Sequence, residues 1–316
     1  MVFLSKIPID KQLIINYLII MNKHLTYSDS LKNLSMILGL HLIFFITSFI
    51  LIQNFEIIFS IPLFIIISLI HHKFLGEFIH EGCHYHLYKK KILNDLISNY
   101  LIGIFFFVSV SNYRKKHFKH HEFKKYFKND DPETGPLKIS KKSDLWKNIF
   151  FDLSGINGFK FLLNYINLES GSRSNPKNSN FKLDNNFLVI FFIQTIIFII
   201  SVFYNFVIFY LVYYITLGTL YHLQLRFRIV CQHVYLNKKN KIQYDITTSR
   251  TIKGGLLEKL FFTSDITAYH NLHHKFPQYP FRKIKELTLN SKLLNDENIF
   301  ATKRYNIIFN YYRSLL

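Results

Sequence analysis

Residues Leu34–His72 read LSMILGLHLIFFITSFILIQNFEIIFSIPLFIIISLIHH and contain no lysine or arginine. A second stretch, Leu183–Leu225, is equally free of basic residues, so all 39 lysines and arginines lie outside these two windows. Each window is long enough for a pair of membrane-spanning helices, because about 20 apolar residues in a helix cross the hydrocarbon core. The two windows therefore predict an all-α, polytopic membrane protein.

A polar break near the middle of each window divides it into two predicted spans. The four predicted transmembrane helices form two hairpins and comprise residues 34–53, 55–70, 187–203 and 206–223. The second of them is short and contains Pro62. We expect it either to tilt little or to extend through His71 and His72.

The distribution of positive charge predicts the orientation of the spans. If each window is a hairpin, every lysine and arginine falls on one side of the membrane, which the positive-inside rule assigns to the cytoplasm. We expect both chain termini on that side. The basic segment after Leu223 is expected to pack as a helical cap on the cytoplasmic face, and residues 1–316 are expected to form a single domain.

Three histidine clusters stand outside the predicted spans. They read HEGCH at 80–84, HFKHH at 117–121 and HNLHH at 270–274 in a chain with 15 histidines, for which chance predicts far fewer than one HxxHH. On a helix, positions i, i+3 and i+4 share a face, and imidazole is the commonest metal ligand. The candidate metal ligands from these clusters are His80, His84, His117, His120, His121, His270, His273 and His274.

The apolar segment 97–110 bears on whether these clusters can meet. It has only 14 residues, a length that suits a re-entrant or interfacial segment better than a span. If it crossed the membrane, the first and second clusters would lie on opposite faces. We therefore expect it not to cross, which leaves all three clusters on the cytoplasmic side.

The number and type of ligands favour two redox-active metal ions. One closed zinc site uses four ligands, and eight clustered imidazoles exceed that number. Nitrogen ligands suit iron, zinc, copper or nickel, and because neutral imidazoles do not offset metal charge, we favour iron that activates oxygen. The cofactor predicted from the residues is a pair of iron ions.

Three other classes of function are considered. HEGCH also satisfies the HExxH pattern of zinc proteases, with Glu81 as the general base. That reading leaves both HxxHH clusters unused, and the sequence lacks the Asp-Gly that intramembrane proteases of this kind use for a third ligand. A non-enzymatic, metal-handling membrane protein is a further alternative. The net charge of +19 does not predict nucleic-acid binding, because the basic residues flank apolar runs and no nucleic-acid motif is present.

The boxes HxxxH, HxxHH and HxxHH, in this order and spacing, resemble those of the membrane-bound fatty acid desaturase and hydroxylase superfamily. The resemblance extends to Asp130-Asp131-Pro132-Glu133 and to the context of the third box, YHNLHHKFPQYP at 269–280. It also covers RIVCQH at 228–233, which is similar to the family's R-x3-E-H element and adds His233 as a ninth ligand. In this chain Gln232 replaces the glutamate. Glu81 is expected either to hold a ligating histidine or to lie on a helix surface. Asp130 and Asp131 are expected either to order the segment beyond the second box or to make a turn before Pro132.

The resemblance implies four transmembrane helices under a cytoplasmic helical cap, with two irons held by histidines. The implied activity is oxygen-dependent desaturation of a fatty acyl chain, for which the substrates are a lipid or fatty acyl group and O2. The alternative within the superfamily is a hydroxylase or ketolase of carotenoids or alkyl chains. The sequence has no His-Pro-Gly-Gly haem motif and no cysteine-rich cluster motif, so a separate electron donor, a ferredoxin or a b-type cytochrome, is expected.

Overall fold

The computed structural model describes residues 25–122, 131, 133–134, 137, 142–166, 184–233, 235–236, 242–243, 249–252, 254–290 and 301–302. The first helices in this part of the chain are α1 (Tyr27–Asn54), α2 (Ile57–Cys83), α3 (Lys91–Ile97), α4 (Val110–Glu122), α5 (Lys142–Leu153) and α6 (Ile156–Ile166). They are followed by α7 (Asn185–Phe203), α8 (Val207–Thr216), α9 (His222–His233), α10 (Leu256–Phe261), α11 (His270–Lys275) and α12 (Phe281–Asn290).

The strands in the described part of the chain are only two residues long. Tyr235–Leu236 pairs antiparallel with Ile242–Gln243, and Thr251–Ile252 pairs in parallel with Ala301–Thr302. Such pairs form no sheet layer on which helices could pack. The fold class is therefore all-α, as predicted.

Within the described residues, four helices are long and apolar enough to cross a membrane, in agreement with the predicted number of spans. They are α1, α2, α7 and the rod of α8 and α9, with 28, 27, 19 and 27 residues. At 1.5 Å per residue they measure about 28 to 42 Å. Pro62 does not end α2, which continues to Cys83, and the fourth rod continues to His233. The added turns carry the first histidine cluster and His233, so α2 and α9 end at the same end of the bundle.

The segment between α2 and α4 turns back on itself. A π-helical turn, Ser98–Ile102, and a 3-10 turn, Gly103–Phe106, follow α3, and the chain then bends by 87° into α4. Phe107 makes the bend with a left-handed φ of 52°. The rings of His84, before the segment, and His117, after it, lie 4.9 Å apart. Since both ends of the segment meet, we infer that it enters the bundle and returns to the same end.

A chain of hydrogen bonds holds this segment against the spans. The Tyr213 hydroxyl lies 2.8 Å from His71 Nδ1, and His71 Nε2 lies 3.1 Å from His41 Nδ1. His41 Nε2 in turn lies 2.7 Å from the Leu101 carbonyl oxygen in the π-helical turn. With neutral rings, each group donates one proton and accepts one, ending at the carbonyl. These histidines, which fit no box, therefore have a structural role.

Two close contacts dock α5 and α6 onto the fourth rod. Arg226 donates from Nε and Nη2 to the Asp152 carboxylate at 2.5 and 2.9 Å, and both side chains are fully buried. On α6, a Cβ added to Gly158 would lie 2.8 Å from the Cα of Gly218, so the two backbones touch. A side chain at position 158 would separate the two helices, whereas a side chain at position 218 would meet nothing within 4 Å.

Candidate metal centre

All nine histidines predicted as ligands lie in described residues, and the structure brings them together. The last turn of α2 carries His80, His84 follows directly after that helix, and the end of α9 carries His233. The other six lie on α4 and α11, where the i, i+3, i+4 spacing aims each triplet inward. The site is therefore assembled from four helices that are distant in sequence.

The first group of imidazoles surrounds the end of α2. One ring nitrogen from each of His80, His84, His117 and His273 lies within 4.8 Å of the others. His121 joins them, because its Nε2 lies 2.9 Å from His117 Nε2 and 3.2 Å from His273 Nε2. Five nitrogens therefore converge on one small volume.

The second group lies beside the first. Ring nitrogens of His120, His233, His270 and His274 again lie within 4.8 Å of one another. The Nε2 atoms of His270 and His233 are 2.8 Å apart, and those of His274 and His270 are 3.0 Å apart. The rings of His121 and His274 are 4.4 Å apart, so the two groups adjoin.

The chemistry of these nitrogens fits metal ions. Within the described part of the chain, the Nε2 atoms of His80 and His84 are buried without a hydrogen-bond partner, an arrangement that is costly unless something binds there. Burial, and then the neighbouring imidazoles, lower the pKa of His84, His117 and His273 well below the usual 6.5. The same causes lower the pKa of His270 and His274. The rings are therefore neutral at pH 7, which is the form that binds metals.

Two carboxylates stand behind the second histidine box. His117 Nδ1 lies 3.0 Å from Glu133 Oε1, and His120 Nδ1 lies 3.1 Å from Asp131 Oδ2. Each imidazole donates from Nδ1, so its Nε2 is left to face the centre, which is how carboxylates orient metal-binding histidines. Asp131 also accepts the backbone N–H groups of Glu133 and Thr134. Asp131 therefore orders the segment after the second box, and it also supports His120, a role that was not expected from the sequence.

These carboxylates shift the protonation of the second box. Burial opposes protonation of His120, but the hydrogen bond to Asp131 and the charges of Glu133 and Asp131 outweigh it and raise the pKa of His120. Burial also raises the pKa of Glu133 against the pull of His120 and Lys116. This role of Glu133 was not predicted from the sequence, although the residue stands in the motif at 130–133.

Glu81 behaves as a support rather than a free base. Its Oε1 lies 3.4 Å from His80 Nδ1, and its Oε2 lies 3.5 Å from His86 Nδ1. Oε2 also accepts the backbone N–H of Phe281 at 3.1 Å. A carboxylate engaged on both oxygens is poorly placed to activate water, which argues against the HExxH protease interpretation.

Other buried polar groups position the third box, and sequence reasoning missed them. Glu77 accepts hydrogen bonds from the Ser264 backbone at 2.9 Å and from Thr267 Oγ1 at 2.6 Å. Lys73 lies 3.0 Å from Glu77, with both side chains buried. Gln232, the departure from the family motif, donates to the Thr267 carbonyl at 3.2 Å. It therefore braces the segment before α11 and leaves the orientation of His233 to other groups.

A mainly apolar cavity of about 290 Å³ adjoins the first histidine group. Its walls include Tyr113 and Glu133, and both contact His117: the Tyr113 ring stacks on it at 5.7 Å, and Glu133 hydrogen-bonds to it. Its walls also include Gly218 and Phe107. The cavity therefore lies between the membrane-spanning bundle and two residues that contact the first histidine group.

A comparison with models of protein families finds a match to "Fatty acid desaturase" over residues 37–298. This range includes three of the four long apolar helices completely, the part of α1 from Ile37 onwards, and all nine histidines. A search of the curated proteins gives no match.

Proposed function

Because this chain belongs to the fatty acid desaturase family, we propose that it is an O2-dependent acyl desaturase that holds two iron ions. The observation that carries the proposal is the pair of imidazole groups, with five and four nitrogens, beside an apolar cavity whose lining residues Tyr113 and Glu133 contact His117. Family membership supports an oxidoreductase of the desaturase and hydroxylase type. The choice of iron and of double-bond formation is the proposal.

We assign one iron to each imidazole group. The first would be held by His80, His84, His117, His121 and His273, and the second by His120, His233, His270 and His274. When bound, the iron pair supplies oxygen activation and removal of hydrogen from an unactivated carbon. The protein's part is to orient the rings, which Glu133, Asp131 and Glu81 do from behind.

The cavity is proposed to hold the acyl chain. Its walls offer a mainly apolar surface, which would favour a hydrocarbon chain by about 0.8 kcal/mol for each buried methylene. Contact of Tyr113 and Glu133 with His117 would bring part of that chain next to the first histidine group. A filled cavity also excludes water from the reacting carbon.

The proposal includes orientation and partners. The histidine boxes and both termini would face the cytoplasm, where the positive-inside rule places the basic segments. The substrates would be a lipid or fatty acyl group and O2. The electrons would come from a separate ferredoxin or b-type cytochrome.

The test is expression in a host of known lipid composition, with fatty acid analysis and metal analysis of the purified protein. We expect new unsaturated acyl chains and close to two irons per chain. Hydroxylated chains or altered pigments would instead assign the chain to the hydroxylase or ketolase branch. A single zinc and no new lipid would refute the proposal.

Two ligand variants serve as controls, one for each imidazole group. His120→Ala and His273→Ala should abolish the product while the protein still inserts into the membrane. Insertion is checked by the yield of monodisperse protein in detergent. Undiminished product from either variant would refute its role as a ligand.

A further inference from the structure

The exposed face of α4 carries an aromatic ring between basic side chains. Lys115, Phe118, Lys119 and Glu122 are all exposed, and their i, i+3, i+4, i+7 spacing places them on one side of the helix. Phe118 is 40% exposed, although it lies inside the second histidine box. We call this group the Phe118 face.

The ring of Phe118 connects this face to the histidines. Its centroid lies 5.3 Å from the centroid of His84, which belongs to the first imidazole group. Among the described residues, Phe118 is the only exposed aromatic side chain whose ring contacts one of the nine histidines. Tyr113 and His86 also contact them, but neither is exposed. The Phe118 ring therefore leads from solvent to His84.

Positive charge surrounds this entry point. The Arg114 guanidinium lies 3.7 Å from the centre of the Tyr85 ring, and Lys91 Nζ lies 5.1 Å from it. Tyr85 follows His84, whose ring Phe118 contacts, and Arg114 precedes Phe118 by about one turn of α4. Asp95 balances Arg114 at 2.6 Å, Asp184 interacts with Lys115, and Glu122 lies on the Phe118 face. Four described cations, Lys91, Arg114, Lys115 and Lys119, thus face these three acids, which leaves a net positive charge.

We propose that the Phe118 face docks an acidic, one-electron carrier protein, and that electrons enter through Phe118 and His84. The inference rests on the proposed function, and it assigns the partner a binding surface. In each turnover two carriers are oxidised by one electron each. The two electrons, two protons and two hydrogen atoms taken from the acyl chain reduce one O2 to two waters and leave one carbon–carbon double bond.

A carrier protein explains both features of the face, and an anionic bilayer explains one. Headgroups would attract the lysines, but they give no reason for an exposed ring to contact His84. Electron-transfer partners make small, transient interfaces, and aromatic residues and arginine are enriched at protein interfaces. Opposite charges at the rim of such an interface steer the encounter and make it depend on salt.

Binding is measured first, with the protein in nanodiscs of neutral phosphatidylcholine. The probes are two oxidised acidic carriers, a [2Fe–2S] ferredoxin and the soluble haem domain of a b-type cytochrome. We expect the Lys115→Gln/Lys119→Gln variant to raise Kd about fivefold at low salt for the carrier that binds, since it removes two exposed ion pairs. Glu122→Gln should lower Kd, and Lys147→Gln, an exposed lysine on α5, should leave it unchanged.

Electron entry is measured second, by stopped-flow oxidation of the reduced carrier without oxygen, followed by the carrier's own absorbance. Phe118→Leu keeps an apolar side chain of similar size but removes the ring. It should slow the electron-transfer step several-fold without changing Kd. Phe118→Tyr retains the ring and should restore the rate. A merely structural role of Phe118 would not separate rate from affinity in this way.

Three results would overturn the inference. The first is binding of neither carrier by the unaltered protein. The second is a carrier Kd that changes neither in the lysine variant nor in the glutamate variant. A Kd that changes only when anionic phosphatidylserine is added would identify a lipid contact and would equally overturn the inference. The third is an unchanged transfer rate in Phe118→Leu.

The proposed function fails separately from this inference. If a small chemical reductant supports normal product formation and the variants change neither carrier binding nor carrier oxidation, the desaturase proposal is retained and the docking proposal is refuted. If carrier binding and oxidation follow the predicted pattern but no unsaturated lipid is formed, the docking proposal is retained and the proposed reaction is refuted.

Discussion

Gly218 offers the sharpest test of the cavity as the acyl site. It lines the cavity, and a Cβ added there would meet nothing within 4 Å. Leucine at this position adds four carbon atoms, and we expect it to displace about three methylenes of the chain, or ~2.4 kcal/mol at 0.8 kcal/mol each. That free energy corresponds to about a 60-fold loss in kcat/KM for a chain that fills the cavity.

The assay is competition between a long acyl chain and one three carbons shorter. Gly218→Leu should lower kcat/KM for the long chain and spare the short one. Gly158→Ala is the matched control, because its Cβ would lie 2.8 Å from the Gly218 Cα, and backbone displacement costs about 1–3 kcal/mol in stability. Gly158→Ala should lower kcat/KM for the long and the short chain to the same extent. An unchanged preference in folded Gly218→Leu protein would refute the cavity assignment.

Three further predictions follow from the buried groups. Asp152→Ala should lower the free energy of unfolding by about 3–5 kcal/mol, because Arg226 is left as an uncompensated buried charge, and Asp152→Leu/Arg226→Met should recover most of that loss in detergent-based thermal unfolding. Asp131→Asn should weaken iron binding at least about tenfold through loss of its charge behind His120, as measured by chelator competition; unchanged iron affinity would contradict the support role. Metal-free protein should lose stability as the pH falls below the usual histidine pKa of 6.5, because the unfolded chain binds protons that buried rings such as His273 do not bind. The free energy of unfolding should fall by ~1.4 kcal/mol per pH unit for each such ring. A free energy of unfolding that stays constant between pH 7 and 5 would contradict this.

The spans and the nine histidines could be predicted because their signals are local. The two windows without lysine or arginine and the i, i+3, i+4 spacing both lie within single helices. The histidine spacing even gives the inward face of α4. What spacing does not give is the division into two groups, since His120 and His121 are adjacent in sequence but their Nε2 atoms belong to different groups.

The supporting contacts could not be predicted, because their partners are remote in sequence. Asp152 and Arg226 are 74 residues apart, and Glu77 and Ser264 are 187 apart. The sequence shows that Glu77 lies in an apolar helix. It does not show that the carboxylate accepts a hydrogen bond from the backbone N–H of Ser264. The exposure of Phe118 is likewise a product of packing, since the sequence of an amphipathic helix favours apolar side chains on its inner face.

The hydrogen-bond relay from Tyr213 to the Leu101 carbonyl has a fixed polarity, because each imidazole spends one nitrogen as donor and the other as acceptor. Reversal of any one tautomer would set two protons or two lone pairs against each other. Inside a hydrocarbon layer no water can relieve such a conflict. The relay holds the segment that carries Phe107, a wall of the cavity, together with the hydrogen bond from Gln194 to the Ile104 carbonyl. Removing the ring of His71 would break the relay and weaken the support of this wall from a distance.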